Sequence, residues 1–353
     1  MIPSFLRYSS TKISLNSICF LIIVYTMERS IWNFKSASSR SPSEVIDAQV
    51  KLTGKLYNDL QMISMQFNGS IHPTFRESGH VEVETPYFSA ISVKFDFFSF
   101  KILCFALAGC PTRMVKFNNC ELTAEHLDML VQSLNFENFP WLQIDWNPLA
   151  EHKFSELLRE NSKLQLLSLR ACCISDEGFR LICENLKNNK FLKTIDLYSN
   201  LISNLTPLAE VLDVNRYLVN VNIGKNFVTD ESLAPLIGVF GKLEFPEDKV
   251  EEYRKKEKEQ AKLKAQKNRG KIVEAEPPSD ELIQDEESKQ FFLLKNKVFR
   301  HLNLSFSPIS RCENLKFILD HALNIFKAVI SFNHLPTETL EQLQKQYPHN
   351  LVL

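Results

Sequence analysis

The chain has 353 residues, of which 44% are hydrophobic and 24% charged, and its formal net charge is −1. This composition is typical of a soluble globular protein with a sizeable buried core, and the balanced charge gives no overall field that would attract nucleic acid. Only 9 glycines are present, which disfavours glycine-rich phosphate-binding loops.

Residues 1–42 are predicted to be a disordered or mis-annotated N-terminal segment. They contain an apolar run from Ile18 to Tyr25, with Arg7 and Lys12 before it. The run is long enough for the core of a signal peptide and too short to span a membrane. No small-residue cleavage site comes after it, and Met27 lies just beyond it. Two interpretations stay open: residues 1–26 do not belong to the native protein, or they direct a secreted or membrane-anchored protein.

Residues 43–109 are predicted to be a helical region that forms an N-terminal cap. Ile46, Val50, Leu56, Leu60 and Ile63 recur at helical spacing. The phenylalanine-rich stretch after them predicts the outer helix of this cap, ending at Ala108 with Gly109 as the next residue. The same stretch could instead be incorrectly annotated sequence.

Five repeats occupy residues 110–240. Their fourth positions are 115, 142, 167, 195 and 221, which gives spacings of 27, 25, 28 and 26 residues. The sixth position is apolar as well, and a polar residue then precedes a stretch with helical spacing; Thr123, Ser175 and Thr229 are the expected N-caps. The ninth position holds these residues: Cys120, Asn147, Cys172, Asn200 and Asn226.

This pattern resembles the leucine-rich-repeat superfamily, whose repeats are 20–29 residues long, and within it the ribonuclease-inhibitor-like class. The resemblance implies an α/β horseshoe solenoid with parallel strands on the concave face and helices on the convex face. It also implies that the ninth-position side chain points inward and hydrogen-bonds the loop backbone. A buried thiol can occupy the same place.

Residues 241–294 interrupt the repeats with a charged helical and disordered insert. The fourth position of the fifth repeat is Val221, and that of the following repeat is Leu302, 81 residues later. One repeat accounts for about 27 of these residues, so the insert adds about 54. Residues 248–271 carry ten bases and five acids, and residues 274–289 carry one base and seven acids. The basic part is predicted to be a solvated helix, and the acidic part to be disordered.

Residues 295–353 are predicted to form the final repeats and a C-terminal cap. One repeat fits well, with Leu302, Leu304 and Ser307 at its fourth, sixth and ninth positions. The last is degenerate: Ile330 and Phe332 fit a strand, and no ladder residue comes after them at the expected spacing. Atypical terminal repeats are common in solenoids.

No motif for catalysis, for a cofactor or for a small-molecule substrate is present, so the sequence predicts a protein that is not an enzyme. The eight cysteines form no C-x-x-C pair and are interpreted as reduced thiols of a cytoplasmic protein. Cys120 and Cys172 lie in non-adjacent repeats, so metal binding is disfavoured. The neighbouring Cys172 and Cys173 mark the repeat register and are not predicted to be a reactive site.

Two surfaces are candidates for binding a protein partner. The first is the concave face, where Trp146, Arg170 and Tyr198 lie on adjacent repeats beside Asp145 and Asp196; these aromatic and arginine types are enriched at hot spots. The alternative is an ordinary hydrated face in which Arg170 pairs with one of the two aspartates.

The second surface is the basic helix, with Arg254, Lys255, Lys256 and Lys258 facing an acidic partner such as a tubulin tail. The alternative is a solvated charged helix. No aromatic residues interleave with these bases, which disfavours nucleic acid.

The expected function is therefore a non-catalytic protein-interaction scaffold. The repeats with a charged insert resemble small leucine-rich-repeat proteins of cilia and flagella, which implies a structural or docking role in a cytoskeletal assembly, a tubulin or axonemal partner, and a cytoplasmic or ciliary location. The alternative is an inhibitor or adaptor that binds one enzyme or regulatory partner through the concave face.

Overall fold

The structure, a computed structural model, describes residues 30–32, 51–66, 87–133, 140–149, 151–159, 162–239, 241–267, 280–286, 288–321 and 326–353. Both interpretations of residues 1–26, together with the predicted helical positions Ile46 and Val50, lie outside this part of the chain. Within it, no helix is both long and apolar enough to cross a bilayer.

The dominant feature is one sheet of nine strands in which every neighbouring pair is parallel. Parallel neighbours need a crossover, and each repeat supplies one through its outer segment. In sheet order the strands are β2 (Tyr87–Ile91), β4 (Met114–Asn118), β5 (Trp141–Gln143), β6 (Leu166–Ser168), β7 (Thr194–Asp196), β8 (Asn220–Asn222), β12 (His301–Asn303), β13 (Lys327–Val329) and β14 (Leu351–Val352).

The remaining strands form two small sheets: β1 (Ser30–Trp32) pairs with β3 (Val93–Phe95), and β9 (Gly241–Phe245), β10 (Glu281–Gln284) and β11 (Phe291–Lys295) form a three-stranded sheet. The α-helices are α1 (Leu56–Gln66), α2 (Phe97–Ala108), α3 (Ala124–Ser133), α4 (Glu151–Glu156), α5 (Asp176–Asn188), α6 (Thr206–Val214), α7 (Val250–Lys267), α8 (Glu313–His321) and α9 (Thr337–Gln346).

The register of the large sheet is the repeat register read from the sequence. Val115 lies opposite Leu142, and the pairing continues through Leu167, Ile195 and Val221. These fourth-position side chains are almost completely buried, and so are the sixth-position ones. Val221 then pairs directly with Leu302, so the insert adds no strand between β8 and β12.

An additional repeat precedes the five that the sequence predicts. Strand β2 pairs with β4 so that Phe88 lies opposite Val115 and Ala90 opposite Phe117. Val93 and Phe95 are buried at the ninth and eleventh positions. Helix α2 then ends at Ala108 with Gly109 as its C-cap, as predicted, and Asp96 caps its start by accepting hydrogen bonds from the backbone of Phe98 and Ser99.

An asparagine ladder closes several of the turns that follow the strands. The Asn200 side-chain oxygen accepts from the backbone N–H groups of Cys172 and Ile174, both at 3.0 Å, and its amide nitrogen donates to the carbonyls of Leu169 and Leu197. Asn147 and Asn226 bind the preceding repeat in the same way. The ladder satisfies backbone groups that the turn would otherwise leave buried and unpaired.

The two cysteines of the ladder replace only part of an asparagine. The Cys172 thiol donates to the carbonyl of Ile144 at 3.1 Å, and Cys120 donates to the carbonyl of Ala90 at 3.4 Å. Burial raises the pKa of the Cys172 thiol. The register proposed for the Cys172–Cys173 pair is therefore the one observed: Cys172 points into the core, and Cys173 is half-buried.

A second ladder, not predicted from the sequence, runs where each repeat begins. The Asn215 side-chain oxygen accepts from the backbone of Tyr217 and Leu218, and its nitrogen donates to the carbonyls of Leu186 and Asn189. Asn189 and Asn296 make equivalent bonds one repeat before and after. Each of the three lies three residues before the leading apolar residue of its repeat.

The last repeat corrects the sequence-based register. Leu302 pairs with Ala328, so Ala328 and Ile330 take the fourth and sixth positions and Phe332 lies beyond the strand. Asn333 then occupies the ninth position, where its side-chain oxygen accepts from the backbone of Ser307 at 2.8 Å. The expectation that this repeat lacks a ladder residue was wrong because alanine at the fourth position hides the pattern.

Three local expectations also change. Residues 231–236 form a 3₁₀ helix with Pro235 inside it, and Thr229 contacts the Ser232 hydroxyl instead of capping a helix through its side chain. Residues 51–55 precede helix α1 and are not helical. By contrast, Ser175 accepts from the backbone of Glu177 as the predicted N-cap of α5.

The insert contains more ordered structure than its composition predicts. Strand β10 lies within the acidic stretch expected to be disordered, and it pairs with β11, which pairs with β9. Arg216 on the preceding repeat bonds Asp280 at 2.7 Å, and Asn296 belongs to the second ladder. The insert is therefore held to the solenoid at the point where the chain returns.

We expect Cys172→Asn to be tolerated, because asparagine occupies the same position in the neighbouring repeats and adds an acceptor for backbone N–H groups. Its melting temperature should stay within about 2 °C of the wild type or rise. Asn200→Ala, the matched control, should cost about 3 kcal/mol because it leaves two buried N–H groups without an acceptor. Differential scanning calorimetry measures both, and a clear loss of stability in Cys172→Asn would contradict the register.

Candidate functional site

The site originates in a backbone feature of every repeat. The residue before each ladder position has left-handed backbone geometry, with φ between 52° and 61° at Asn119, Trp146, Ala171, Ser199, Lys225, Phe306 and Phe332. Because the ladder residue points inward, the eighth and tenth residues on either side of it point outward. Two rows of side chains therefore run along one edge of the sheet, crossing the repeats.

These two rows line a groove of about 320 Å³, which we call the rim groove. The eighth-position row contributes Trp146, Lys225 and Phe306, and the tenth-position row contributes Phe227 and His334. The other lining residues are Asn119, Pro148, Ala171, Cys173, Ser199, Asn200, Leu201, Asn226 and Pro308. The groove is thus mainly apolar, with one lysine and one histidine.

Large aromatic side chains are unusually exposed here. Trp146 is 46% exposed, Phe227 44%, Phe306 47% and Phe332 75%. Left-handed geometry costs a residue with a side chain about 1–2 kcal/mol, so the backbone itself favours glycine or asparagine at the eighth position. Tryptophan and phenylalanine at these positions are therefore not explained by local conformation, and clustered exposed apolar residues are typical of an interaction site.

A row of stacked side chains continues this surface across the sheet, and we call Tyr198, Phe306 and Phe332 the aromatic row. Phe306 and Phe332 stack at 4.5 Å between ring centroids, with an interplanar angle of 13°. Tyr198 meets Phe306 edge to face at 6.4 Å. The Arg170 guanidinium lies over the Tyr198 ring, 5.5 Å from its centroid, which adds a cation–π contact.

Gly224 makes the contact between Tyr198 and Phe306 possible. It lies on the repeat between them and has no side chain to separate the rings. A Cβ at this position would lie 2.8 Å from the Ser305 carbonyl oxygen and 3.1 Å from Cδ2 of Tyr198. The glycine is therefore required by close approach and not by its backbone angles.

The predicted concave residues do not all contribute in the same way. Arg170 forms an ion pair with Asp196 at 2.8 Å, which is one of the two pairings that the alternative interpretation predicted. Asp145 is only 3% exposed, and its carboxylate accepts from the Ser168 hydroxyl and from the backbone of Arg170. Asp145 thus stabilises the end of strand β6, and we do not include it in the interaction surface.

The predicted basic residues lie on helix α7, and none of them lines the rim groove. Arg254 lies over the Phe291 ring of the insert at 5.6 Å, and Lys256 bonds Glu252 at 2.5 Å one turn earlier. Lys255 and Lys258 are exposed. The two candidate surfaces are thus separate parts of the structure.

Part of the rim groove was predicted from the sequence. The predicted binding residues include Trp146 at the eighth position and none of the tenth-position residues, of which Phe227 is the most apolar. A signal was available, because an inward ladder residue requires outward neighbours on both sides. Proline, leucine and phenylalanine at the tenth position, between two buried positions, could have indicated a second exposed row.

The described residues contain no group of three or more histidines, cysteines or carboxylates that could hold a metal ion. All seven cysteines in this part of the chain are outside disulfides. Burial raises the pKa of Cys104, Cys183 and Cys312, and together with nearby Asp59 it raises the pKa of Cys110 to about 12. Such thiols are protonated and unreactive at neutral pH.

The parallel sheet, the repeat register and the ladder define an α/β leucine-rich-repeat solenoid interrupted by a charged insert. No family model matches the chain, and no curated protein matches it significantly. Among solved structures it is similar to internalin C2 of Listeria monocytogenes, at 15% identity over 85% of this chain and 91% of that chain, with a TM-score of 0.42.

A second Listeria monocytogenes internalin, inlF, is 14% identical over 71% of this chain and 68% of its own, with a TM-score of 0.31. Likenesses this distant carry no information about function.

We expect Cys173 to react with a maleimide faster than the other six described cysteines, because it alone among them is only half-buried and lines the groove. Peptide mass spectrometry after brief labelling at pH 7 measures each thiol separately. Unfolding in guanidinium should equalise the rates. Equal labelling of Cys172 and Cys173 in the native protein would contradict the assigned inward and outward positions.

Gly224→Ala is expected to destabilise the protein by about 1–3 kcal/mol, because the added methyl group clashes with the Ser305 backbone and with Tyr198. Gly238→Ala is the matched control, since a Cβ there meets nothing within 4 Å. Chemical denaturation measures both variants. Equal stability of the two would show that the close approach at Gly224 is not a constraint.

Proposed function

We propose that the chain is a non-catalytic protein-interaction scaffold that binds its partner through the rim groove and the aromatic row. The observation that carries this proposal is the set of large aromatic side chains exposed in left-handed positions along one edge of the sheet. Tryptophan, tyrosine and arginine are enriched at binding hot spots, and the two aromatic side chains bury much area with few rotatable bonds.

The geometry also supports a preorganised surface. Solenoids use extended faces built from many repeats to bind partners. The stacked aromatic row and the Arg170–Asp196 pair hold these side chains in place before a partner arrives, which lowers the entropy lost on binding.

Our finer proposal is a structural or docking component of a cytoskeletal, axonemal assembly, acting in the cytoplasm or the cilium, with tubulin or an axonemal complex as the partner. What supports it is the exposed basic side of helix α7, including Lys255 and Lys258, on an insert anchored to the solenoid. The long repeats, spaced 25–28 residues in the first five, support the ribonuclease-inhibitor-like class.

The alternative function is an inhibitor or adaptor for one enzyme or regulatory partner. It is supported by the separation between the rim groove and helix α7, because such a protein needs only the groove. The two functions differ in which surface is indispensable, so each surface can be removed in turn.

Site-directed cross-linking tests the scaffold. A photoreactive group on Cys173 in the full chain, expressed in its native cell, should cross-link a partner protein, and Trp146→Ala with Phe332→Ala should abolish that product. The same group on Lys258→Cys is the control position. A partner captured only from the insert, or capture unaffected by the two rim substitutions, would overturn the assigned surface.

Deletion of Gly241–Leu294 then separates the two functions. The deletion should abolish localisation of a docking protein and leave binding by an inhibitor or adaptor intact. Trp146→Ala with Arg170→Ala should abolish binding by an inhibitor or adaptor. The same two substitutions should leave localisation intact if docking depends on the insert. Circular dichroism and thermal melts on each variant establish that the solenoid has folded.

A further inference from the structure

The open face of the large sheet carries unbalanced positive charge. Lys116, Lys225 and Lys327 project from strands β4, β8 and β13 or the turns after them, and within the described residues none of the three has an ion-pair partner. Lys225 lines the rim groove itself. The whole chain has a net charge of −1, so this local excess is a property of the face.

The acidic side chains on the same face are already engaged. Asp196 bonds Arg170, and Asp145 is buried and hydrogen-bonded. Glu121, at the tenth position of an early repeat, bonds Lys94 at 3.0 Å. A partner that approaches the groove therefore meets the unpaired Lys225 in the groove, the unpaired Lys116 and Lys327 elsewhere on the face, and no available carboxylate among these three acids, so electrostatic complementarity favours an acidic partner.

The length of the groove points to an extended segment. Its lining residues run from Asn119 to His334, across seven successive strands of the sheet. Strands lie about 4.8 Å apart, so six intervals span roughly 29 Å, and an extended chain rises about 3.3 Å per residue. A peptide of about nine residues would therefore cover the groove.

The volume and lining of the groove select the side chains of that segment. A space of about 320 Å³ is too small to enclose nine residues and suits a few large side chains inserted from above. Trp146, Phe227 and Phe306 form its exposed apolar walls. Apolar side chains should therefore insert between these walls while a carboxylate of the same segment reaches Lys225.

We propose that the rim groove binds an extended acidic segment of a partner protein, about nine residues long, that inserts large apolar side chains beside Trp146, Phe227 and Phe306 and places a carboxylate on Lys225. This inference rests on the proposed scaffold function and names the chemistry of the partner at that same surface. A second copy of the chain would present the same positive face, and like charges disfavour it. Single-stranded nucleic acid would place a phosphate at every nucleotide, and the groove has one lysine.

A peptide selection tests the chemistry directly. The full chain, immobilised, is exposed to a library of random nine-residue peptides, and the bound peptides are sequenced by mass spectrometry. Aspartate and glutamate should be enriched together with leucine, phenylalanine or tryptophan. One selected peptide, labelled with a fluorophore, is then measured by anisotropy, and its affinity should fall as salt concentration rises.

Three variants relate that binding to the groove. Lys225→Glu should weaken the selected peptide by at least roughly fivefold, and Phe306→Ala by roughly tenfold, the sizes expected for a reversed charge and a hot-spot aromatic. Lys258→Glu, with the same charge change on helix α7, should leave affinity within about twofold. Thermal melts of Lys225→Glu and Lys258→Glu should match the wild type, because both lysines are exposed. Phe306→Ala should lose a few degrees with its stacking on Phe332 and still unfold in one cooperative transition.

Several outcomes would overturn the inference: no enrichment, enrichment of neutral or basic peptides, binding insensitive to both groove variants, or tighter binding of a nine-nucleotide single strand. These outcomes are distinguishable from failure of the scaffold function. If cross-linking from Cys173 still captures a partner that needs Trp146 and Phe332, the scaffold stands and only the acidic-segment chemistry is wrong.

Discussion

The whole structure depends on how each repeat satisfies its backbone after the strand ends. There the chain turns inward, away from water, and its N–H and C=O groups lose their sheet partners. The Asn200 side chain supplies both an acceptor and a donor to two repeats at once. An unpaired buried backbone group costs about 1–3 kcal/mol, so each asparagine stabilises the turn that it closes.

The same constraint produces the surface. An inward ladder residue needs a left-handed residue before it, and that residue and the one after the ladder must point outward. The rim groove is therefore a by-product of core hydrogen bonding repeated across the sheet. Its shape is set by the ladder, and its chemistry is set by side chains that take no part in the hydrogen bonds of the ladder, such as those of Trp146 and Phe227. Stability and recognition are thus encoded at alternating positions of the same short segment.

The sequence predicted most of the fold and less of the surface, for identifiable reasons. Periodic apolar residues in register placed β4 to β8 and β12, because those positions are buried and repeat at fixed spacing. The first repeat was missed because Ala90 and Val93 stand where leucine and asparagine are usual, and the last was misregistered because Ala328 is small. The small sheet in the insert was not predicted, because β9 pairs with β11 across a long intervening segment and β11 pairs with β10. Local composition does not reveal such distant pairing. The only sign of the second ladder in the sequence is an asparagine, such as Asn215, three residues before the leading apolar residue of a repeat.

The insert shows how a solenoid can gain a second surface without altering the first. Val221 and Leu302 are neighbours in the sheet although 81 residues separate them. The returning chain is fixed by the Arg216–Asp280 bond and by Asn296 in the second ladder, both close to the place where an ordinary repeat would begin. The hydrogen bonds between repeats are therefore continuous across the insertion, and so is the row from Tyr198 to Phe306. Because extra loop length adds only slowly to the entropy of closure, some 54 residues of charged sequence can project here with little effect on the core. The rim groove and helix α7 can then change independently in evolution, since neither lines or supports the other.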